Sequence, residues 1–266
     1  MDYFSYNSGG NDVPEGAFKI SPSALSRFFS ETPVWFREHV LKEGPSFTGN
    51  TNSTLGTIVH GLASMYHETG SYNCELAEAY LDTIFDPTID KTYIRNQYPV
   101  MTECLINSVV DSLPEEGRSE PFLWHEIIPG YGVGGSLDML LPTEVRDFKT
   151  TGAMSIPATI PRNYWFQQMA YVWLARKHGY DVDRFTLDYV THNHVNRISP
   201  QTGKPMKDYP TKHGSLVHIV TSGDLEIIEN TLTLVAESVK SFNENPRTRH
   251  LIAKDMRLKV AARFKR

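Results

Sequence analysis

Two aspartates and a lysine near the middle of the chain have the types and spacing that fit a chemical role. Asp138 closes a Gly-x-x-Asp segment, and nine positions later Asp147 opens an Asp-x-Lys segment that ends at Lys149. Residues 145–149 are predicted to form a strand, in which alternate side chains share a face. Asp147 and Lys149 are therefore expected on one face, with Phe148 pointing the other way into a core.

A turn at Pro142-Thr143 should pair this strand with the preceding segment, residues 134–141. A tight turn would place Asp138 opposite Asp147. Like charges that face each other on a sheet are unfavourable and raise the pKa of one carboxyl. A divalent cation removes this conflict, and oxygen ligands with room for water suit Mg²⁺ or Mn²⁺ better than zinc. Such a site is what metal-dependent hydrolysis of a phosphodiester requires.

The same strand also has a simpler interpretation, since Asp-x-Lys on a solvent-facing strand is common and needs no chemistry. Convergence of a second carboxylate favours a site. A predicted helix over residues 162–178 strengthens the interpretation as a site, because its Gln168 and Tyr171, three positions apart, lie on one helix face.

The order Gly-x-x-Asp, Asp-x-Lys, Gln-x-x-Tyr resembles the PD-(D/E)XK nuclease superfamily, in particular its RecB-like and lambda-exonuclease-like branch. Three further features match that branch. A Gly-x-x-x-His segment ends at His60, a Ser-x-Ser-x-Leu-x-x-Phe helix start begins at Ser21, and Glu126 precedes the Gly-x-x-Asp strand. The resemblance covers about residues 20–189. Each motif is weak alone, but their order and spacing are fairly specific.

The resemblance implies roles around the metal. Asp138 and Asp147 would bind it together with the Phe148 carbonyl, and Lys149 would orient or deprotonate the attacking water. His60 would be a ligand or a close neighbour of the metal, although a lone helical histidine more often lines a core. Glu126 would stand just behind the ligands.

The resemblance also implies contacts with DNA. In lambda-type exonucleases two serines and the glutamine of Gln-x-x-Tyr contact the terminal phosphate, and the tyrosine helix flanks the site. The matching positions in this chain are Ser23, Ser136, Gln168 and Tyr171.

The chain departs from several RecB-like relatives at an iron–sulfur site. Those relatives place a cysteine before a proline after the first helix, where this chain has Thr32-Pro33. Cys74 and Cys104 are its only cysteines, and two thiols cannot supply four cluster ligands. We therefore expect no iron–sulfur cluster.

Three other patterns are given non-catalytic interpretations. The His192-x-His194 pair has no nearby carboxylate or cysteine and is read as a hairpin end. The glycines of residues 130–135 precede a strand instead of opening a helix, so they are no dinucleotide fingerprint; we expect them to let a DNA backbone approach closely. No Gly-x-Ser-x-Gly elbow supports Ser-His-Asp catalysis.

Composition describes an ordinary globular chain of 266 residues, 40% hydrophobic and 21% charged, which can bury one large core or two modest ones. No apolar run is long enough to span a membrane. The first ten residues lack the basic and apolar regions of a secretory signal, and two well-separated cysteines fit a reducing compartment. A cytoplasmic location is expected, in the host if the chain is phage-encoded.

Charge is unevenly distributed. Residues 247–266 carry eight basic side chains against one acidic, a local charge of +7, which leaves −12 for the rest of a chain whose net charge is −5. Such a tail either binds nucleic acid or is a solvated terminus.

The predicted fold is α/β: a central mixed sheet flanked by helices, restriction-endonuclease-like, with a helical C-terminal extension. Residues 1–17 are expected to be flexible, 18–245 to form the nuclease domain, and 246–266 to form the basic tail.

The sequence thus predicts a Mg²⁺-dependent DNA exonuclease of recombination or repair, of the type that phages encode. Alternatives are a structure-specific or nicking endonuclease on the same fold, or a nucleic-acid-binding subunit with a vestigial site. The intact Asp138, Asp147 and Lys149 argue against the last. Expected partners are DNA, a single-strand annealing or binding protein, and other copies of the chain, but no membrane.

Overall fold

The protein was analysed as a computed structural model, which describes residues 3–4, 13–43, 49–199 and 201–251. Within these ranges, no helix is long and apolar enough to cross a membrane.

Seven α-helices surround the strands in the described ranges, and short 3₁₀ turns and one π-helical turn extend some of them. Their bounds are α1 Leu25–Ser30, α2 Thr32–Trp35, α3 Thr51–Thr69, α4 Cys74–Thr83, α5 Lys91–Ser108, α6 Arg162–Lys177 and α7 Ser222–Glu244. The long helices begin at polar caps: the Asn50 side chain accepts from the Ser53 amide at the start of α3, and Thr221 does the same for Asp224 in α7. Helix α6 is closed by His178 and then Gly179, whose φ of 88° only glycine adopts readily.

The described residues form eight strands in two mixed sheets. Their bounds are β1 Phe18–Ile20, β2 Arg118–Ser119, β3 Phe122–Ile128, β4 Tyr131–Ser136, β5 Met139–Leu140, β6 Glu144–Thr151, β7 Arg184–Thr191 and β8 His213–Ile219. The three-stranded sheet has the order β1-β4-β3, and the five-stranded sheet has the order β2-β5-β6-β7-β8. Among these described strands, the β1–β4 and β6–β7 pairs are parallel and the other pairs are antiparallel. The α/β class and the mixed strand directions are as predicted, while the single expected sheet is divided in two.

The core consists of two apolar clusters, one on each side of β6 and β7. The first cluster packs α1, α6 and α7 against the sheets, and the second packs α3, α4 and α5 against Phe148 and Val190. Strand β7 is buried along almost its whole length, because helices cover both faces of the parallel pair. The predicted C-terminal helix, α7, therefore belongs to the core.

One prediction about a strand needs correction, and two residues near the start of the chain are packed. The strand expected over 134–141 is interrupted, because Leu137 and Asp138 lie between the end of β4 and the start of β5. Tyr3 and Phe4, within the segment expected to be flexible, are packed: the Tyr3 hydroxyl donates to Glu68 over 2.7 Å, and Phe4 is buried against Tyr80. Most of the basic tail, residues 252–266, lies outside the described residues.

Candidate active site

The centre of the site is an edge of β6 that β5 leaves uncovered. Strand β5 pairs only with Val145 and Arg146, whereas β6 continues to Thr151. Alternate residues of a strand direct their N–H and C=O groups to the same side. The Glu144 carbonyl accepts from Leu141 on the β5 side, so the main-chain groups of Phe148 point to that side as well. There the Phe148 carbonyl faces the open edge.

Asp138 lies at this open edge. The β5–β6 register pairs Met139 with Arg146, which puts position 138 opposite position 147 when it is continued by one residue. The Asp138 Oδ2 atom accepts from the Phe148 amide over 2.7 Å and lies 3.5 Å from Nδ1 of His60. Burial opposes ionisation of Asp138, but the neighbouring His60 lowers its pKa below the usual value.

Helix α3 positions His60. The glycine of the Gly-x-x-x-His segment, Gly56, packs on β6 so closely that a Cβ there would lie 3.2 Å from the Thr150 hydroxyl. One turn later the His60 ring packs against the Phe148 ring, with the ring centroids 6.0 Å apart and the ring planes nearly perpendicular. Burial disfavours a charged His60, yet the Asp138 carboxylate raises its pKa above the usual value.

Asp147 and Lys149 form an ion pair on the face of β6 opposite the Phe148 side chain. The Lys149 Nζ atom is 2.5 Å from Oδ2 of Asp147 and 4.8 Å from the centre of the Tyr164 ring on α6. Burial raises the pKa of Asp147, and the charge of Asp138 adds to that rise against the opposing effect of Lys149. Burial favours a neutral Lys149, but the two carboxylates raise its pKa, so the lysine is an ammonium.

Glu120 is an acidic residue of this site that the sequence motifs missed. Its amide donates to the Asp138 carbonyl over 3.2 Å, and its carboxylate lies 3.5 Å from the Ser64 hydroxyl of α3. Its φ of 47° is rare for a residue with a side chain. Burial and the charge of Asp138 raise the pKa of Glu120 to about 7. The only sequence signal is an acidic residue just before the Pro121 that precedes β3.

Glu126, the glutamate expected behind the ligands, is not brought to this site. It is exposed near the far end of β3, where it pairs with Gly132, and its carboxylate accepts from the Gly130 amide over 2.8 Å. Gly132 and Asp138 are six positions apart, and the strand from Gly132 to Ser136 alone spans about 13 Å. Glu126 therefore stabilises the β3–β4 turn, and Glu120 is the glutamate beside Asp138.

Tyr171 lies close to β4 at Gly135, where the Ser-x-Ser segment that begins at Ser21 also packs. A Cβ at Gly135 would lie 3.2 Å from the Tyr171 ring and hydroxyl and 3.2 Å from Pro22. Burial raises the pKa of Tyr171, and the charges of Asp147 and Asp138 contribute, which places the phenol within electrostatic reach of both. Ser136 is the last residue of β4, and strand alternation turns its side chain to the face opposite Gly135.

Gln168 and Ser23 differ in environment. Gln168 on α6 is completely buried, and neither atom of its amide has a hydrogen-bond partner among the described residues. Ser23 is exposed in the turn before α1, with its hydroxyl 3.0 Å from that of Ser21.

The glycines of β4 serve the protein's own packing. A Cβ at Gly132 would lie 2.4 Å from the His125 carbonyl, and one at Gly134 would lie 2.9 Å from the Trp124 ring. The neighbouring strand β3 thus occupies the space that we had expected to admit a DNA backbone.

Comparison with solved structures shows the same fold in a protein described as an exonuclease from Eubacterium rectale. The match has a TM-score of 0.54 and 12% identity, and it covers 89% of this chain and 84% of that one. A phage-related exonuclease from Haemophilus somnus 129PT matches with a TM-score of 0.40 and 12% identity, over 88% and 98% of the two chains. LHK-Exo in complex with dAMP matches with a TM-score of 0.38 and 12% identity, over 91% and 96%.

Comparison with curated proteins found no sequence match. The family model of the PD-(D/E)XK nuclease superfamily matches residues 19–250, a range that contains Asp138, Asp147, Lys149 and the helices that surround them. The chain belongs to the PD-(D/E)XK nuclease superfamily.

Proposed function

We propose that this protein is a metal-dependent DNA exonuclease of the phage type, which hydrolyses phosphodiester bonds of linear DNA in recombination or repair. The observation that carries the proposal is the open edge of β6, where the Phe148 carbonyl lies beside Asp138 and the Asp147–Lys149 pair follows on the same strand. Membership of a nuclease superfamily agrees with this chemistry.

The donor atoms at this edge suit a hard divalent cation. The Nδ1 atom of His60 lies 3.5 Å from Oδ2 of Asp138, so one cation between them would meet both donors. The charge of Asp138 opposes ionisation of Asp147, and a cation would relieve that repulsion. Asp138, Asp147, the Phe148 carbonyl and His60 would hold Mg²⁺ or Mn²⁺, which would polarise the scissile phosphate and lower the pKa of a bound water.

These donors form an open site. Across the described ranges, no three His, Cys, Asp or Glu side chains are already arranged to hold a metal ion. Asp138, Asp147 and His60 would therefore close around the ion as it binds, and the Phe148 carbonyl and water would complete the coordination.

Lys149 acts as an ammonium in this proposal. Because the carboxylates raise its pKa, the protonated side chain orients the attacking water by a hydrogen bond and offsets the charge that develops on the phosphate. The Tyr164 ring keeps the ammonium at the site through a cation–π contact.

Contacts with the DNA end are assigned to Gln168, Tyr171, Ser23 and Ser136. Gln168 supports this assignment best, since a buried amide without partners is costly unless a ligand satisfies it. The catalytic unit is assigned to residues 18–245, with 1–17 as an N-terminal segment and 246–266 as a basic tail that adds affinity for DNA. A single-strand annealing or binding protein and further copies of the chain are proposed partners.

One assay tests the proposal. Linear and circular duplex DNA, labelled at either the 5′ or the 3′ end, are incubated with Mg²⁺ or with chelator. An exonuclease shortens only the linear DNA from an end, and only with metal. Cleavage of circular DNA would instead establish an endonuclease on this fold, and full activity in chelator would refute the metal assignment.

A further inference from the structure

A second polar cluster lies at the carboxyl ends of β6 and β7. His192 follows the last residue of β7, and its amide donates to the Thr151 carbonyl at the end of β6 over 2.9 Å. The Tyr93 hydroxyl of α5 lies 2.6 Å from Nδ1 of His192. Thr151 is two residues beyond Lys149, about 7 Å along the strand. The cluster is therefore next to the proposed catalytic edge but separate from it.

The polar loop after β7 is folded back onto this cluster. Its two arms pair at His194 and Tyr209. Gln97 of α5 holds the start of the loop by two hydrogen bonds: its amide nitrogen donates to the Asn193 carbonyl over 3.1 Å, and its oxygen accepts from the Asn193 amide over 2.6 Å. Arg197 lies on this loop, and its charge is within electrostatic reach of the Tyr93 hydroxyl.

Three nitrogen atoms of the cluster are buried and have no acceptor among the described residues. Nε2 of His192 and both Nε and Nη2 of Arg197 are buried without a hydrogen-bond partner among the described residues. His192 is only 2% exposed. Burial and the neighbouring His194 lower the pKa of His192 to about 4, so its ring is neutral at pH 7. If the Tyr93 hydroxyl donates to Nδ1, the ring proton is on Nε2, and all three atoms are donors.

Three donors without an acceptor define the chemistry of a ligand. Buried donors that lack acceptors destabilise a fold, and more so when they are charged. A ligand made only of acceptors, with negative charge, satisfies them, and a planar guanidinium matches phosphate oxygens in pairs. The nearby carboxylate of Asp90 is engaged as the cap of α5, where it accepts from the Tyr93 amide over 2.8 Å.

We propose that Arg197 and His192 form a phosphate subsite, positioned by Tyr93, that receives a backbone phosphate of the substrate strand beyond the scissile bond. This inference rests on the proposed function. The subsite holds the strand at the carboxyl edge of β6 and β7, so that a neighbouring linkage is presented to Asp138, Asp147 and Lys149. Tyr93 directs the His192 Nε2 proton toward the phosphate and is a positioning residue.

Binding of a DNA strand to the full-length protein in chelator, where the strand is not consumed, tests the subsite. Arg197→Ala should weaken binding roughly ten-fold or more, the size of one charge-assisted hydrogen bond. It should also reduce the salt slope by about one. The control is Lys204→Ala, which removes an equal charge from an exposed position on the same loop. An equal loss of DNA affinity in both variants would overturn the subsite, because the effect would then come from general positive charge and not from Arg197.

DNA with a single uncharged methylphosphonate linkage, moved along the strand, locates the contact. One linkage should weaken binding to the unaltered protein and have no further effect on Arg197→Ala. Arg197→Lys, which keeps the charge without the fork, should retain the salt slope but lose the preference for that linkage. If no position of the methylphosphonate weakened binding to the unaltered protein, the proposal would be overturned, whether or not Arg197→Ala folds.

Two further measurements are needed. One distinguishes free phosphate from a DNA phosphate as the ligand, and the other distinguishes failure of the subsite from failure of the proposed function. If inorganic phosphate shifts the His192 ring resonance in NMR while no linkage is special, the site takes free phosphate and the assignment to a nucleic acid is wrong. If the unaltered protein hydrolyses DNA with Mg²⁺ but shows no linkage effect, only the subsite fails. If it neither binds nor hydrolyses DNA, the proposed function fails as well.

Discussion

The Phe148 amide donates to Oδ2 of Asp138 over 2.7 Å, and this bond ties the bend after β4 to the open edge of β6. It holds the Asp138 carboxylate beside the Phe148 carbonyl and opposite Asp147. Because the bond uses a main-chain donor, it persists when the side chain at 148 changes. The geometry of the proposed metal site thus depends on how far β5 extends along β6.

Asp138→Asn, Asp147→Asn and Lys149→Ala should each reduce hydrolysis of linear DNA by two or more orders of magnitude, about 3 kcal/mol of barrier. Each change removes a metal ligand or the cation at the phosphate. Lys177→Ala is the control, because that lysine pairs with Glu229 at the end of α6, away from the site. Initial rates on end-labelled DNA check the expectation, with circular dichroism to verify folding. Near-native turnover in any of the three would remove that residue from the mechanism.

Hydrolysis should require Mg²⁺ or Mn²⁺ and should be slow with Ca²⁺, because the looser coordination of Ca²⁺ positions water poorly. Rates measured across the three ions after exhaustive chelation provide the check. Ca²⁺ should nevertheless compete with Mg²⁺, since both bind oxygen ligands. Equal rates with Ca²⁺ and Mg²⁺ would contradict this assignment.

Glu120→Gln should stabilise the metal-free protein at pH 8 but not at pH 4. The pKa of Glu120 is raised from 4.5 to about 7, so the folded state binds the proton more tightly than the unfolded state. Stability is therefore lost as the pH rises from about 4.5 to about 7, and the substitution restores about 3 kcal/mol above that window. Thermal unfolding in chelator at both pH values measures this. A gain of the same size at pH 4 would show that ionisation of Glu120 is not the cause.

Linear DNA with 5′-phosphate ends should be degraded faster than DNA with 5′-hydroxyl ends, and Gln168→Ala should remove much of that preference. The buried amide of Gln168 has no hydrogen-bond partner in the described part of the chain, and a lost charge-assisted hydrogen bond costs about 1.5–3 kcal/mol. Matched phosphorylated and dephosphorylated duplexes provide the measurement, with Gln201→Ala on the exposed loop as the control. Equal rates on both duplexes for the unaltered protein would reject a terminal-phosphate pocket and favour an endonuclease, or an exonuclease that starts from the 3′ end or both ends.

Removal of residues 247–266 should weaken DNA binding and flatten its dependence on salt. The segment carries eight basic side chains. With fewer phosphate contacts, DNA binding releases fewer counterions and depends less on salt. Affinity measured over a series of salt concentrations tests this, while the rate at saturating DNA should change little. An unchanged slope would show that the tail is only a solvated terminus.

Much of the proposed site could be predicted from the sequence because its geometry is local. Asp147 and Lys149 share a face by strand periodicity, and a short turn places Asp138 opposite Asp147. The family could be recognised from the same motifs, which the match over residues 19–250 confirms. The Gly-x-x-x-His segment was informative for a related reason, since Gly56 is where α3 must approach β6.

Only the tertiary structure could decide which glutamate joins the site and which groups remain without partners. Glu126 matched the family pattern, but Glu120 reaches Asp138, because the chain turns with a positive φ just before β3. His192 at the end of β7 meets Tyr93 of α5, and the loop that carries Arg197 folds back beside them, an arrangement that no sequence period encodes. Strand alternation and short turns act between neighbours, and they can be read along the chain. Burial and unsatisfied hydrogen bonds depend on segments about a hundred residues apart, such as Tyr93 and His192, and exist only once the chain has folded.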